Sequence, residues 1–238
     1  MILYGRNPVR EALRGRRAHQ IAGVWATASA AREPWLGGVA VSVRSGDEIQ
    51  RRCGASTHQG ICAEAGGYPY VAADELLAAD EPLIVALDQV QDPHNLGSIC
   101  RTAECAGATG LVIAERRSAE VTPTVCKTSA GAVEHLRVAR VRNVADFLAQ
   151  ARQRACWCYG ASVGEDAVRY DAPDYRGGVV LVLGSEGAGL RPRVAAACDQ
   201  LVSLPMLGKV ESLGVSAAAA ALLYGILQSR GPRLDRVP

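Results

Sequence analysis

Three short runs of consecutive apolar residues place the strongest constraint on how this chain folds. They cover residues 83–87, 110–114 and 179–183 and consist mainly of valine, leucine, isoleucine and alanine. Runs of this length are typical of strands buried on both faces of a parallel sheet. Helical patterns alternate with strand patterns along the same part of the chain, at 96–106, 143–154 and 216–230 and at 138–141, 156–159 and 201–204 respectively. This alternation predicts an α/β fold with a mainly parallel sheet.

A short amphipathic segment divides the chain into two predicted domains. Residues 73–82 end at a proline and suit a linker that carries one short helix. Residues 1–72 hold nine arginines and five acidic residues, whereas residues 83–238 form the larger domain with the parallel sheet. The predicted elements of the first domain are a helix at 5–13 with Asn7 as its cap and strands at 21–25, 39–43 and 61–65. These elements predict a small α/β domain.

Composition excludes several classes of protein. Hydrophobic residues make up 49% and charged residues 21% of the chain, which is ordinary globular usage and not that of a disordered protein. The longest apolar stretch, 217–227, is shorter than the ~20 residues that span a bilayer, and no signal-peptide pattern is present. These features predict a cytoplasmic protein with no membrane partner. The cysteines match no zinc spacing, and the apolar contexts of four of them predict buried free thiols and no metal site: Cys100, Cys105, Cys126 and Cys198.

The loop after the first apolar run contains residues that could bind an anion. In open α/β sheets, ligands bind at the carboxyl ends of the strands. Asn95, Gly97 and Arg101 lie in or near this loop, and Arg101 is expected about one turn into the next helix. There it could reach back over the helix N-terminus, where negative charge is favoured. The alternative is structural, with Asn95 as a helix cap and Arg101 in a surface ion pair.

Two further loops follow later strands. The first of them contains Gly184, Gly187 and Gly189, which allow tight turns and close approach of backbone to a ligand. Its spacing fits neither a P-loop nor the Rossmann dinucleotide motif. The other, residues 204–216, reads by itself as a strand-to-helix connection with a capping serine.

In order and spacing, the three loops resemble the motifs of the SpoU/TrmH branch of the SPOUT methyltransferases. They read NLGSICR at 95–101, LGSEGAGL at 183–190 and LPMLGKVESLGVS at 204–216. The segments GRNPVREAL at 5–13 and THQGI at 57–61 are similar to the amino-terminal domain of the family's ribosomal-RNA members, which resembles a small ribosomal RNA-binding protein. The resemblance therefore extends over nearly the whole chain.

The resemblance implies both the fold and the reaction. It implies a knotted parallel-sheet catalytic domain, a homodimer, and transfer of a methyl group from S-adenosyl-L-methionine to a ribose 2'-oxygen of structured ribosomal RNA. A guanosine of the large-subunit RNA is the expected target. By match to the motifs, the cofactor-binding residues are Gly184, Leu204, Met206 and Leu213.

The resemblance also assigns catalytic positions to Arg101, Asn95, Glu186 and Ser212. Arginine is often described as the base in this family, but its free pKa of ~12.5–13.8 makes a neutral guanidinium costly near neutral pH. We therefore expect a cationic Arg101 that stabilises the developing alkoxide, with Glu186 able to orient it through an ion pair. One residue departs from the family pattern, because Gly214 stands where the third motif normally has asparagine.

The amino-terminal domain is expected to bind RNA. The predicted contacts are Arg6, Arg10, Arg14, His58 and Gln59, with Arg16 and Arg17 adding to the same positive surface. Three other functions stay open: an RNA-binding homologue that no longer methylates, a methyltransferase that protects ribosomal RNA from an antibiotic, and a transfer-RNA methyltransferase.

Overall fold

The computed structural model describes residues 1–210 and 212–231; Glu211 of the third motif and residues 232–238 of the predicted second domain lie outside them. The described strands are β1 (Ile2–Tyr4), β2 (Ile21–Ala26), β3 (Val41–Val43), β4 (Ile61–Ala65), β5 (Leu83–Asp88), β6 (Gly110–Ala114), β7 (Val138–Val141), β8 (Cys156–Ala161), β9 (Val168–Arg169), β10 (Gly178–Gly184) and β11 (Gln200–Ser203). The described α-helices are α1 (Arg6–Arg14), α2 (Gly46–Cys53), α3 (Ala73–Leu77), α4 (Pro93–Cys105), α5 (Pro123–Thr128), α6 (Val144–Gln153), α7 (Pro192–Ala195) and α8 (Val215–Arg230).

The strands of the described chain form two sheets. The first has the order β1-β4-β2-β3, with antiparallel pairing except between β2 and β3. The second has the order β7-β6-β5-β10-β8-β11-β9, and all of its neighbours pair in parallel. The predicted α/β architecture with a parallel sheet is confirmed, and α3 is the short helix expected in the linker. The knot and the domain boundaries at 72 and 83 stay predictions.

The second sheet is covered on both faces, as its apolar strands require. Along β5, Val85 and Leu87 belong to the core cluster that contains residues of α4 and α8. Ile84 and Ala86 point to the other face, where the core contains residues of α6. The sheet is therefore a central layer between helices, and the loops extend from the ends of its strands.

The two sheets share one continuous core. Leu3 and Val9 of the first part belong to the same buried cluster as Val133 and Leu136, which follow α5. A buried ion pair adds to this contact, since the Arg17 guanidinium donates to both carboxylate oxygens of Glu134 at 2.7 and 2.5 Å. Arg17 is therefore not part of an RNA-binding surface, and that prediction is wrong.

Several local predictions also need correction. Asn7 does not cap α1, because the helix begins after Gly5 and has no side-chain cap. Asn95 is not the cap of α4 either; the carboxylate of Asp92 accepts the N–H of His94 there. Sequence reasoning missed β1, β9, α2, α5 and α7, all of which are short.

The eight cysteines are all free, but they are not all buried. Cys100 and Cys126 lie in the core as expected, whereas Cys105 is exposed and Cys198 is half-buried. Cys105 ends α4, where the helix leaves the core. In the part of the chain that the structure describes, no helix has the length and apolarity to cross a membrane.

Candidate functional site

A cavity of about 310 Å³ lies at the carboxyl edge of the second sheet. Because β8, β10 and β11 are parallel, the loops that follow them meet at this edge. All four predicted cofactor-binding residues line the cavity, together with Glu186 and Ser212: Gly184, Leu204, Met206 and Leu213. Apolar side chains of Val202, Val215 and Leu222 complete much of the wall. The cavity thus combines an apolar lining with loop backbone, which suits a ligand with a flat apolar part and polar edges.

The second motif folds back on itself against the end of β10. The N–H of Ser185 donates to the carbonyl of Gly189 at 3.1 Å, and the N–H of Gly189 donates back to Ser185 at 2.9 Å. A Cβ atom on Gly184 would lie 2.1 Å from the carbonyl carbon of Gly189. A glycine is therefore required at 184 because the returning loop passes directly against it. A tight turn is one of the two roles expected of the glycines in this loop, and Gly184 fills it.

A buried carboxylate fixes the far end of the same loop. Asp88, at the end of β5, is fully buried. Its Oδ2 accepts the backbone N–H of Arg191 at 2.9 Å, and its Oδ1 accepts the guanidinium Nε at 2.8 Å. The loop from 184 to 191 is thus held at both ends by the sheet.

Glu186 lies over the N-terminus of α8. A Cβ atom built on Gly214, the N-cap of that helix, would lie 3.2 Å from Glu186 Oε1. The carboxylate therefore borders the space that a side chain at 214 would enter, near the positive end of the helix dipole. The suggested ion pair between Glu186 and Arg101 is not present in residues 1–210 and 212–231.

The first motif lies on α4, outside the cavity. None of the described residues that line the cavity belongs to α4, so the structure does not bring Asn95 and Arg101 to its wall. Arg101 is eight residues beyond Pro93, about 12 Å along the helix, and not one turn from its start. Its side chain is exposed and makes no hydrogen bond or ion pair with the described residues. Gly97 has a packing role, because a Cβ there would lie 1.8 Å from Thr128 Oγ1 on α5.

The predicted RNA-binding residues gather around α1. Arg6, Arg10 and Arg14 are four residues apart and share one face of the helix. Gln59 Oε1 accepts the N–H of Arg6 at 2.9 Å, and Gln59 itself has a positive φ of 54°. His58 accepts the Gly60 N–H on Nδ1 at 2.9 Å, so a neutral His58 has its Nε2–H directed away from this contact.

Sequence reasoning missed one cation at this position. Lys127, on α5 of the second part, donates to Gln59 Oε1 at 3.1 Å. Partial burial lowers its pKa below the ordinary lysine value. Lys127 is one of only two lysines in a chain of arginines, and that rarity was the available signal. Lys127 therefore adds a positive charge beside α1 from the part of the chain that forms the second sheet.

The chain matches two family models. Residues 82–224 match the SpoU rRNA Methylase family, and residues 2–71 match the RNA 2'-O ribose methyltransferase substrate binding domain. The 23S rRNA (guanosine-2'-O-)-methyltransferase RlmB of Acinetobacter baylyi is 37% identical over 81% of this chain and 80% of its own length. The RlmB of Xanthomonas axonopodis pv. citri is 42% identical over 74% of this chain and 73% of its own length.

A solved structure of an rRNA methyltransferase also resembles this chain. The AdoMet-bound rRNA methyltransferase from Sinorhizobium meliloti superposes with a TM-score of 0.78 at 25% identity. The match covers 95% of this chain and 86% of that one. The chain belongs to the SpoU rRNA methylase family and is an RNA methyltransferase.

Proposed function

We propose that the protein transfers the methyl group of S-adenosyl-L-methionine to the ribose 2'-oxygen of a guanosine in 23S ribosomal RNA. The observation that carries the proposal is the cavity at the carboxyl edge of the second sheet, where the second and third motifs meet. The names of the RlmB relatives support the guanosine and the large-subunit RNA.

The cavity fits this cofactor by its size and its walls. A volume of about 310 Å³ is at the lower end of the ~300–1,000 Å³ of small-molecule sites. Leu204, Met206 and Leu213 would contact the adenosyl group, and the backbone at Gly184 would approach it closely. When bound, the cofactor supplies a methyl group on a sulfonium, which is attacked by an oxygen nucleophile. Binding there excludes water from the apolar part of the wall.

Arg101 is proposed as the group that stabilises the ribose oxygen as it loses its proton. A guanidinium stays cationic at neutral pH and can donate two parallel hydrogen bonds to oxygen. Its exposed position on α4 leaves it accessible to RNA. Asn95, Glu186 and Ser212 are proposed to support the site through hydrogen bonds, Glu186 and Ser212 from the cavity wall.

The surface around α1 is proposed to hold the RNA. Arg6, Arg10 and Arg14 would contact phosphates, while His58 and Gln59 lie beside the helix N-terminus. Lys127 adds a positive charge from the catalytic part of the chain.

A homodimer is proposed as the active form. The longest described helix, α8, leaves Ala217, Ala221 and Tyr224 exposed along one side, and Tyr224 is 50% exposed. A second copy of this chain would bury that surface. A monomer mass by light scattering at micromolar concentration would contradict this.

The proposed function is tested by methyl transfer from tritiated S-adenosylmethionine into total RNA, followed by mapping of the modified nucleotide. Label at one guanosine 2'-oxygen of 23S RNA is the expected result. Label in transfer RNA would change the substrate class, and a site in an antibiotic-binding region would favour a resistance enzyme. Binding of cofactor and RNA without methyl transfer would favour an RNA-binding homologue that no longer methylates, an alternative that only Gly214 supports.

A further inference from the structure

A second cavity, of about 370 Å³, lies on the first sheet and belongs to none of the functions described so far. One aromatic ring and three arginines are among the six residues that line it: Trp25, Arg44, Glu48, Ile49, Arg51 and Arg52. Val24 and Ala26 of β2 point into the core shared with α1. Trp25 lies between them in sequence and so points to the opposite face, which carries α2.

The indole of Trp25 is held in a defined position. Gly23 lies two residues earlier on the same face of β2, and a Cβ there would be 2.8 Å from Trp25 Cη2. The absence of a side chain at 23 therefore makes room for the ring. The guanidinium carbon of Arg52 lies 3.8 Å from the ring centroid, which is a stacking distance. The result is an aromatic and guanidinium platform at the edge of the cavity.

The cavity has an excess of positive charge. Within the described ranges, none of its three arginines forms an ion pair. The single carboxylate, that of Glu48, accepts the N–H and Oγ–H of Ser45 at 2.9 Å each in a capping box. Hydrogen bonds from Ser45, with smaller attractions from Arg44 and Arg51, hold the pKa of Glu48 below its usual value. One carboxylate, held in the capping box, thus faces three arginines.

We propose that this cavity is a second RNA-binding site, which takes an unpaired nucleotide. A base would stack on Trp25 or on the guanidinium of Arg52, since aromatic rings and arginine planes both accept unstacked bases. Arg44 and Arg51 would contact the adjoining phosphates. The proposal rests on the proposed function, because it assigns a further contact to the same RNA substrate.

The position of the cavity separates this contact from the first RNA surface. Arg6, Arg10 and Arg14 belong to α1, which packs on the other face of the first sheet. A nucleotide at Trp25 would therefore belong to a different segment of the RNA from the one that contacts α1.

Tryptophan fluorescence tests the stacking contact directly. The chain has three tryptophans, so the double variant Trp35→Phe/Trp157→Phe leaves Trp25 as the only source of tryptophan emission. Titration with a short, labelled, single-stranded RNA of mixed sequence should quench Trp25 over the same concentration range in which the label's anisotropy rises. RNA binding with unchanged Trp25 emission would overturn the proposal, and so would a lack of binding. Quenching by polyglutamate but not by RNA would point to an acidic protein and would also overturn it.

Charge removal tests the phosphate contacts without touching the ring. Arg44→Gln/Arg51→Gln should weaken binding of this RNA about tenfold. Loss of two phosphate contacts should also lower the slope of log affinity against log salt by about 1.4. The control is Arg154→Gln/Arg176→Gln, which removes two exposed arginines that lie just before β8 and β10, at the amino edge of the second sheet, and should leave both values unchanged.

Methyl transfer keeps the two proposals apart. If the wild type methylates ribosomal RNA and Arg44→Gln/Arg51→Gln has the same KM for RNA and the same salt slope, this inference fails and the proposed function stands. If the wild type methylates no RNA, the proposed function fails, and quenching of Trp25 by RNA still decides whether the cavity binds a nucleotide.

Discussion

Asp88 and Arg191 are joined by three contacts, although the carboxylate is fully buried and the arginine is 43% exposed. One contact comes from the backbone and two come from the guanidinium. Arg191→Ala should therefore destabilise the protein by about 1–3 kcal/mol, because a buried charged oxygen loses its side-chain donors. It should also weaken S-adenosylmethionine binding, since the end of the second motif is released. Urea unfolding and calorimetric titration measure the two effects.

The control for this prediction lies two residues away. Arg193 pairs with Asp146 at 2.7 Å, but their side chains are 72% and 60% exposed. Arg193→Ala should cost only about 0–1 kcal/mol. Equal losses in the two variants would contradict a specific role for the buried pair.

Arg101→Ala should lower the rate of methyl transfer by about 10²–10³ while cofactor affinity stays near that of the wild type. The reason is that Arg101 lies outside the cavity wall and is proposed to act on the ribose oxygen. Arg101→Lys keeps the charge but loses the planar fork, and should recover only part of the rate. Single-turnover transfer and equilibrium binding are measured in parallel. Loss of cofactor binding in Arg101→Ala would overturn this division of roles.

Gly184→Ala should abolish cofactor binding even though alanine is small. Its Cβ would lie 2.1 Å from a backbone carbon of Gly189, so the loop must move as a whole. Gly208→Ala provides the control, because nothing lies within 4 Å of a Cβ at that position. Calorimetric titration with S-adenosylmethionine should separate the two variants clearly. Wild-type affinity in Gly184→Ala would show that the fold of the second motif is not needed for binding.

Gly214→Asn places at the N-cap of α8 the residue that the motif resemblance gives for this position. An asparagine oxygen can accept a free N–H of the first turn, and the expected gain over glycine is a few tenths of a kcal/mol. Glu186 Oε1 must move slightly, since the new Cβ would lie 3.2 Å away. If Gly214 only tunes the site, turnover should hold or rise. Turnover that appears only in the variant would mean that the natural chain is a non-catalytic RNA-binding protein.

Arg17→Met should destabilise the protein by about 3–5 kcal/mol, because Glu134 keeps a buried charge without its partner. Arg17→Met/Glu134→Met should be less destabilised than either single variant, since no buried charge is left. Chemical denaturation of the four proteins gives the coupling energy. Additive losses would show that the Arg17 and Glu134 side chains do not stabilise each other.

The same ion pair affects how RNA binding by the first part of the chain can be tested. Deletion of residues 1–72 would remove Arg17 and leave Glu134 buried without its partner. Substitutions of Arg6 and Arg14 therefore test RNA affinity more cleanly than the deletion does.

Much of the fold could be predicted because its strands are short apolar runs. The strands at 110–114, 138–141 and 61–65 have the predicted bounds, since local hydrophobic patterning alone determines them. The helix α5 was missed because it has only six residues, too few for a clear periodicity. The burial of Arg17 could not be predicted from nearby residues, because its partner is 117 positions away.

The site was predicted unevenly for a physical reason. The predicted residues that line the cavity lie at the end of β10 or in the loops that follow β10 and β11, where parallel topology determines their position. Arg101 is on a helix that begins at Pro93, three residues before the predicted helical stretch at 96–106, so it lies about two turns into the helix and not one. Gln59 and Lys127 meet through tertiary contact between the two parts of the chain, which no motif records.

The shared core and the Arg17–Glu134 pair have a consequence for substrate choice. Since the first sheet is joined to the second by buried contacts, the span from the surface of α1 to the cavity is fixed by the protein. With the RNA held on α1 as proposed, a target ribose would be accepted only if the RNA places it at that span from the segment that contacts α1. Insertion or deletion of a single base pair between these two points should prevent methylation even when every contacted nucleotide is kept.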